Sequence, residues 1–208
     1  MWKWTLNWNE IRGDLVIGAC PMTTADIDTI QRETGATALL SVQTDECRKA
    51  FDIDYEEHRD HGHRSGLVLV NAPMRDFDPP DQRRRLPYAV ACLHNLLDDG
   101  HKVYVYCTAG INRSPLTVLG YLTFIEGMSK DDGLNLILKG RPQAEPYWEA
   151  YDGCYRDLLD TYREDIKSRA FELGLSNPEN NQAQNWREAE KEVLRGAFLD
   201  AFPHPLKH

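Results

Sequence analysis

No apolar run in this chain approaches the ~20 residues needed to cross a bilayer. The opening Met1-Trp2-Lys3-Trp4 leads into polar residues and lacks the pattern of a secretory leader. Basic residues are also in short supply: 24 Lys and Arg face 33 Asp and Glu, for a net charge of −9. That balance disfavours nucleic acid as the main partner and an anionic membrane as a docking surface. It leaves room for a local basic pocket. Cysteines number five, an odd and scattered set, which argues against a disulfide framework and for reduced thiols. The expected location is cytoplasmic, or a plastid-like reducing compartment if a transit peptide has been removed. Internal repeats and low-complexity tracts are missing too. No motif calls for a cofactor, and nothing in the sequence sets the oligomeric state. What remains, 208 residues with 41% hydrophobic content, is enough for one ordinary core.

The chemistry concentrates in Val103-Tyr104-Val105-Tyr106-Cys107-Thr108-Ala109-Gly110-Ile111-Asn112-Arg113-Ser114-Pro115. The β-branched and aromatic residues before Cys107 predict a buried strand. Ser114 followed by Pro115 reads as the N-cap and first residue of a helix. A thiol, a small-residue loop and an arginine thus converge on a helix N-terminus, which favours anions. Five residues between Cys107 and Arg113 can curl into a ring. The amides of Thr108, Ala109, Gly110, Ile111, Asn112 and Arg113 would then face a tetrahedral dianion. Arg113 would add two parallel hydrogen bonds, and the same positive potential would lower the Cys107 pKa. Ser114 sits where its hydroxyl could donate to the sulfur. The alternative is a core cysteine at a strand end. Against it, the residues six after Cys20, Cys47, Cys92 and Cys154 are Asp26, Ile53, Asp98 and Asp160, so Cys107 alone has the arginine partner.

The stretch resembles the signature loop of the cysteine-dependent protein tyrosine phosphatase superfamily, in its dual-specificity branch: His-Cys, five residues, Arg, then Ser or Thr. The Cys, Gly, Arg and Ser match. Tyr106 replaces the His that braces the loop in the family, which implies a less depressed thiol pKa, and Asn112 stands where many members carry Gly.

The rest of the chain alternates strand and helix. Strands are expected at Asp14–Gly18, Thr37–Val42, Leu67–Val70 and Val103–Tyr106, and a helix capped by Thr23 and Thr24 runs to Gly35. Residues 43–62 read as one acidic, solvated helix. His58, His61 and His63 lie close there but lack further ligand spacing, so no metal is expected. A helix from Gln82 to Asp99 contains Pro87 and should be kinked or start late. Further helices are expected from the loop to Gly127, from Lys130 to Gly140, from Tyr147 to Tyr162 and from Gln184 to Phe198, with Asn177-Pro178-Glu179-Asn180-Asn181 as a loop. The three tryptophans Trp2, Trp4 and Trp8 are expected to fold back onto the core, with a sugar site as the alternative. The predicted class is α/β, a mostly parallel sheet flanked by helices on both faces. The catalytic domain spans 1–162, and a helical extension, 163–208, packs on it or on a partner.

A phosphocysteine route needs an acid for the leaving oxygen. Asp76, Asp78 and Asp81 in the loop before Gln82 all compete, although Asp78 and Asp81 could simply cap the next helix. The order Arg75-Asp76-Phe77-Asp78 resembles the acid loop of the plant glucan phosphatases, which implies Asp76 as the acid. The similarity runs from about Ile11 to Leu159. It implies sugar-stacking roles for Phe77 and Phe51, for both of which core packing is the alternative. Ser114 is the protein-phosphatase choice where that subgroup usually has Ala. The expected activity is metal-independent hydrolysis of phosphate monoesters, on phosphoprotein (Tyr, Ser or Thr) or phosphoglucan. A catalytically weak phospho-ligand binding module is the alternative.

Overall fold

The computed structural model describes residues 3–177 and 179–201, with side chains to residue 198; Trp2 and Pro178 lie outside the described residues. A five-stranded sheet runs in the order β1-β2-β5-β3-β4. Its strands are β1 (Trp8–Arg12), β2 (Leu15–Ala19), β3 (Ala38–Ser41), β4 (Val68–Asn71) and β5 (Val103–Cys107). Strands β2, β5, β3 and β4 are mutually parallel, as expected. The edge strand β1 pairs antiparallel with β2 and was not legible beforehand: Trp-Asn-Glu-Ile-Arg carries no clean alternation.

The central strand β5 is buried along its whole length, and its alternation divides the core. Val103, Val105 and Cys107 join Leu15, Ile17, Ala38 and Leu40 in one cluster. Tyr104 and Tyr106 point to the other face with Val16, Leu39, Ile27 and Ile30. Period-two burial of this kind is what a sheet covered on both sides demands. Each fully buried Leu, Ile or Val contributes about 1.5–3 kcal/mol relative to exposure. Trp4 and Trp8 are half-buried against the second cluster, so they serve packing rather than an open sugar site.

Helix α1 (Thr24–Thr34) starts with a capping box between Thr23 and Asp26 and ends at Gly35 in the left-handed conformation. The acidic stretch 43–62 is not one helix. It divides into α2 (Asp45–Lys49) and α3 (Tyr55–Arg64), broken at Asp52, whose φ is 53°, and restarted by Asp54 as N-cap. Its histidines diverge. His58 is buried, the Nε2 of His61 lies 2.6 Å from an Asp28 carboxylate oxygen, and His63 is exposed. Helix α4 (Pro79–Asp98) starts earlier than predicted, because Asp78 caps it and Pro79 and Pro80 are tolerated in its first turn; it continues through Pro87.

After β5 come α5 (Arg113–Gly120), continued by a π-helical turn (Tyr121–Ile125), then α6 (Lys130–Gly140) and α7 (Trp148–Thr161). The extension adds α8 (Arg163–Ser176), which its weak amphipathic pattern hid, and α9 (Gln182–Ala201). Phe198 of α9 stacks on Phe124 of the π turn with centroids 5.7 Å apart, and Tyr155 of α7 hydrogen-bonds Glu190. The extension therefore packs on the same chain's core.

Candidate active site

Strand β5 delivers Cys107 to the sheet's C-terminal edge, where the chain turns into α5. The helix starts at Arg113, two residues sooner than Ser114-Pro115 suggests. Asn112 is its N-cap, and the Asn112 side chain is used instead to donate to the Glu145 carbonyl at 2.9 Å. Pro115 fits inside this first turn because its position lacks an intrahelical acceptor. Gly110 sits at φ +69°, and a Cβ there would meet the Gly18 carbonyl oxygen at 2.5 Å and Arg141 Nη2 at 2.7 Å. Only glycine satisfies both demands.

Cys107 is buried, 3% exposed, at the floor of a cleft of about 650 Å³. Ser114 Oγ donates to its sulfur at 3.4 Å. Burial pushes the Cys107 thiol up. The Arg113 charge, the Ser114 hydroxyl and the amides of Ser114 and Gly110 pull it down and prevail, so its pKa lies below the ordinary thiol value. Thiolate is the nucleophilic form.

Arg113 is fully buried. One of its terminal nitrogens, Nη1, donates to the Met74 carbonyl at 3.0 Å and to Cys47 Sγ at 3.2 Å. The other, Nη2, donates to Asp76 Oδ2 at 2.7 Å and to Thr108 Oγ1 at 3.2 Å. The buried Nε has no partner among the described residues, a donor that a phosphate oxygen would satisfy.

The three competing aspartates have separate tasks. Asp76 alone reaches Arg113. Asp78 Oδ1 accepts the Asp81 amide at 2.9 Å as the cap of α4. Asp81, 3% exposed, accepts the Arg75 amide at 2.8 Å and the Arg84 and Arg85 side chains, which ties the acid loop to the helix instead of capping it. Gln82 Nε2 holds the Arg75 carbonyl from the other side.

Phe77 is 82% exposed and Phe51 37% exposed, and both line the cleft, so neither belongs to the core. Phe77 occupies the left-handed region at φ 55°, a conformation an aromatic residue rarely adopts. Tyr147, Ala50 and Ile111 extend the apolar lining, and Thr108, Asn112 and Glu145 edge it.

Sequence reasoning missed Cys47, Tyr147 and Arg141. Cys47 is half-buried. Burial raises its pKa, but the Thr44 hydroxyl and Arg113 outweigh that and lower it. None of the three lies within five residues of a predicted site residue in the signature loop, so only the folded arrangement brings them there.

Residues 24–150 match the family model described as dual specificity phosphatase, catalytic domain. The chain belongs to that family. As a dual-specificity phosphatase domain it is 30% identical over 163 residues to phosphoglucan phosphatase DSP4 of Castanea sativa, covering 77% of this chain and 43% of that one. It is 27% identical over 208 residues to phosphoglucan phosphatase LSF1 of Arabidopsis thaliana, covering 97% of this chain and 33% of that one. Laforin of Mus musculus is 27% identical over 152 residues, 66% of this chain and 44% of laforin. The chain thus spans less than half the length of these relatives. Among solved structures, PTPMT1 superposes with a TM-score of 0.59 at 18% identity over 79% of this chain and 99% of its own, a likeness of fold. The dual-specificity domain and its α/β class agree with what the signature loop implied.

Proposed function

We propose that this domain is a metal-independent phosphomonoesterase that removes phosphate from a phosphoglucan through a phosphocysteine intermediate. One observation carries the reading: the Cys107 thiol, its pKa lowered, and the Asp76 carboxylate line one cleft, and the buried Arg113 behind them pairs with Asp76 and lowers the thiol's pKa. In the first step Cys107 Sγ forms the S–P bond as the P–O bond to the sugar breaks. Arg113 and the amides of 108–113 hold the equatorial oxygens, with electrostatics matched to the transition state. Asp76 gives its proton to the leaving oxygen. In the second step the Asp76 carboxylate takes a proton from water as that water breaks the S–P bond, and the Ser114 hydroxyl stabilises the departing thiolate.

The cleft's volume of about 650 Å³ and its aromatic rim favour a glucan over a phosphorylated side chain. Phe77, Phe51 and Tyr147 offer rings to the C–H faces of pyranoses, and the three line one cleft together rather than lying scattered over the surface. The similarity to the phosphoglucan phosphatases DSP4 and LSF1 supports the same reading. A hydroxyl aimed at the Cys107 sulfur and a carboxylate held beside it weigh against a catalytically weak binding module, which would need neither to hold a phosphate. Five free thiols support a reducing compartment, cytoplasmic or plastid-like, and among the described residues no helix is long and apolar enough to cross a membrane.

The test is phosphate release from phosphorylated amylopectin and from a phosphotyrosine peptide in parallel, with Cys107→Ser as the blank. Glucan release that falls in Phe77→Ala while a small aryl phosphate is still turned over is the expected result. Release from the peptide alone would reassign the substrate to phosphoprotein. Binding of both without release would mark a binding module.

A further inference from the structure

Arg141 is fully buried, and among the described residues no carboxylate pairs with it. Its Nε donates to the Gly110 carbonyl at 2.5 Å and its Nη2 to the Ala109 carbonyl at 2.9 Å. The remaining donors reach Asn9 Oδ1 at 2.9 Å, Asn7 Oδ1 at 2.8 Å and the Ile17 carbonyl at 3.4 Å. A buried guanidinium without an acid is unfavourable unless its protons are all used; here it is held by neutral oxygens. Two of those oxygens belong to consecutive peptides of the loop that follows Cys107. Fixing those carbonyls toward Arg141 turns their amides the opposite way, toward the thiol.

We propose that Arg141, anchored by Asn7 and Asn9, is the positioning residue that braces the Cys107–Arg113 loop and adds a second permanent positive charge to its field. It does the bracing that Tyr106 does not: the Tyr106 hydroxyl is engaged with Ser41 rather than with the loop. Arg141 touches neither substrate nor reacting atoms, so it acts through the loop. Its carrier segment is itself clamped: the Glu145 amide donates to the Ile111 carbonyl at 2.7 Å. The N-terminal segment, which contributes no group to the cleft, thereby becomes part of the catalytic apparatus. This inference rests on the phosphatase reading above for its activity arm only.

Two readouts separate the proposal from that reading. The first is the pH profile of iodoacetamide alkylation at Cys107, followed by mass spectrometry so that Cys47 is scored apart. It needs no turnover. The second is kcat and KM on a small aryl phosphate. Arg141→Met is expected to raise the alkylation midpoint and lower kcat by about 10²-fold, the cost of a misplaced reacting group. Arg141→Lys keeps the charge but not the fork, so its midpoint stays near wild type while kcat falls about tenfold. The double variant Asn7→Ala/Asn9→Ala keeps the Arg141 charge but releases its anchor, and is expected to raise the alkylation midpoint and lower kcat with KM little changed. If Arg141→Met does not fold, the Lys and Asn variants decide. Wild-type alkylation profiles and kcat in folded Arg141→Lys and Asn7→Ala/Asn9→Ala would overturn the brace. A wild-type protein without phosphatase activity whose alkylation profile still shifts in Asn7→Ala/Asn9→Ala would sink the functional reading and keep the brace.

Discussion

Arg113 serves two anions in turn. In the structure its Nη2 is paired with Asp76 at 2.7 Å, the nitrogen that a phosphate oxygen would also seek. Substrate must therefore share or displace that carboxylate, and the cost of doing so appears in binding. Asp76→Ala is expected to lower kcat by about 10²–10⁴-fold through loss of the acid. The same variant is expected to bind inorganic phosphate more tightly, because a competing carboxylate is gone. Inhibition by phosphate, measured alongside turnover, checks both. Weaker phosphate binding would mean that Asp76 orients Arg113 rather than competing for it. The thiol offers a second check, with its sign set by the depressed pKa. As pH falls through the ordinary thiol range, an unperturbed cysteine loses its thiolate while Cys107 retains it, and Cys107 loses it only below its own lowered value. Ser114→Ala removes one donor and is expected to move the alkylation midpoint of Cys107 upward. Cys107 and Arg113 were legible in the sequence because their chemistry is local, confined to one loop. Cys47 and Arg141 were not, since they lie 60 residues before and 34 after Cys107 and reach the loop only through the sheet and α6.

At the scale of elements, the acid loop depends on Asp81. That carboxylate is buried, which raises its pKa. The Arg75 amide and the Arg85 and Arg84 charges overcome this and hold it below the usual carboxylate range. A lowered folded-state pKa means that stability is fully present above the unfolded value and lost as pH falls through the folded one. Asp81→Asn is expected to cost about 1.5–3 kcal/mol, the worth of hydrogen bonds to a charged group. The difference from wild type should be full above about pH 5 and shrink below about pH 4, as unfolded aspartate takes up its proton. Urea titrations across that range measure it. A constant difference would show that Asp81 acts through shape alone. The sequence pattern drew α1 and the parallel strands well, because caps and apolar runs are local signals. It misjudged where α4 and α5 begin. There, cap positions are set by what else the side chains must hold: Asn112 is committed to Glu145 and Asp81 to Arg75. The single helix expected over 43–62 failed for a related reason. Even charge spacing masks a break that depends on one residue, Asp52, entering the left-handed region.

For the whole molecule the question is whether 1–162 and 163–208 are separate units. We propose that they fold as one. Helix α5 begins at Arg113, continues into the π turn, and that turn is covered by α9 through Phe124 and Phe198, with Leu194 also buried. Arg113 and the extension are thus two ends of one packed column. Phe198→Ala removes a ring that is 2% exposed and leaves a cavity against Phe124. If the chain unfolds as a unit, that substitution costs about 3–5 kcal/mol of global stability. Far-UV circular dichroism and phosphatase activity should then fall together at a lower urea concentration, in one transition. An independent extension predicts something else: an early loss of helical signal with activity intact, followed by the main transition at its wild-type midpoint. The second outcome would return α8 and α9 to the role of a partner-binding appendage and leave the Cys107 site to the first 162 residues.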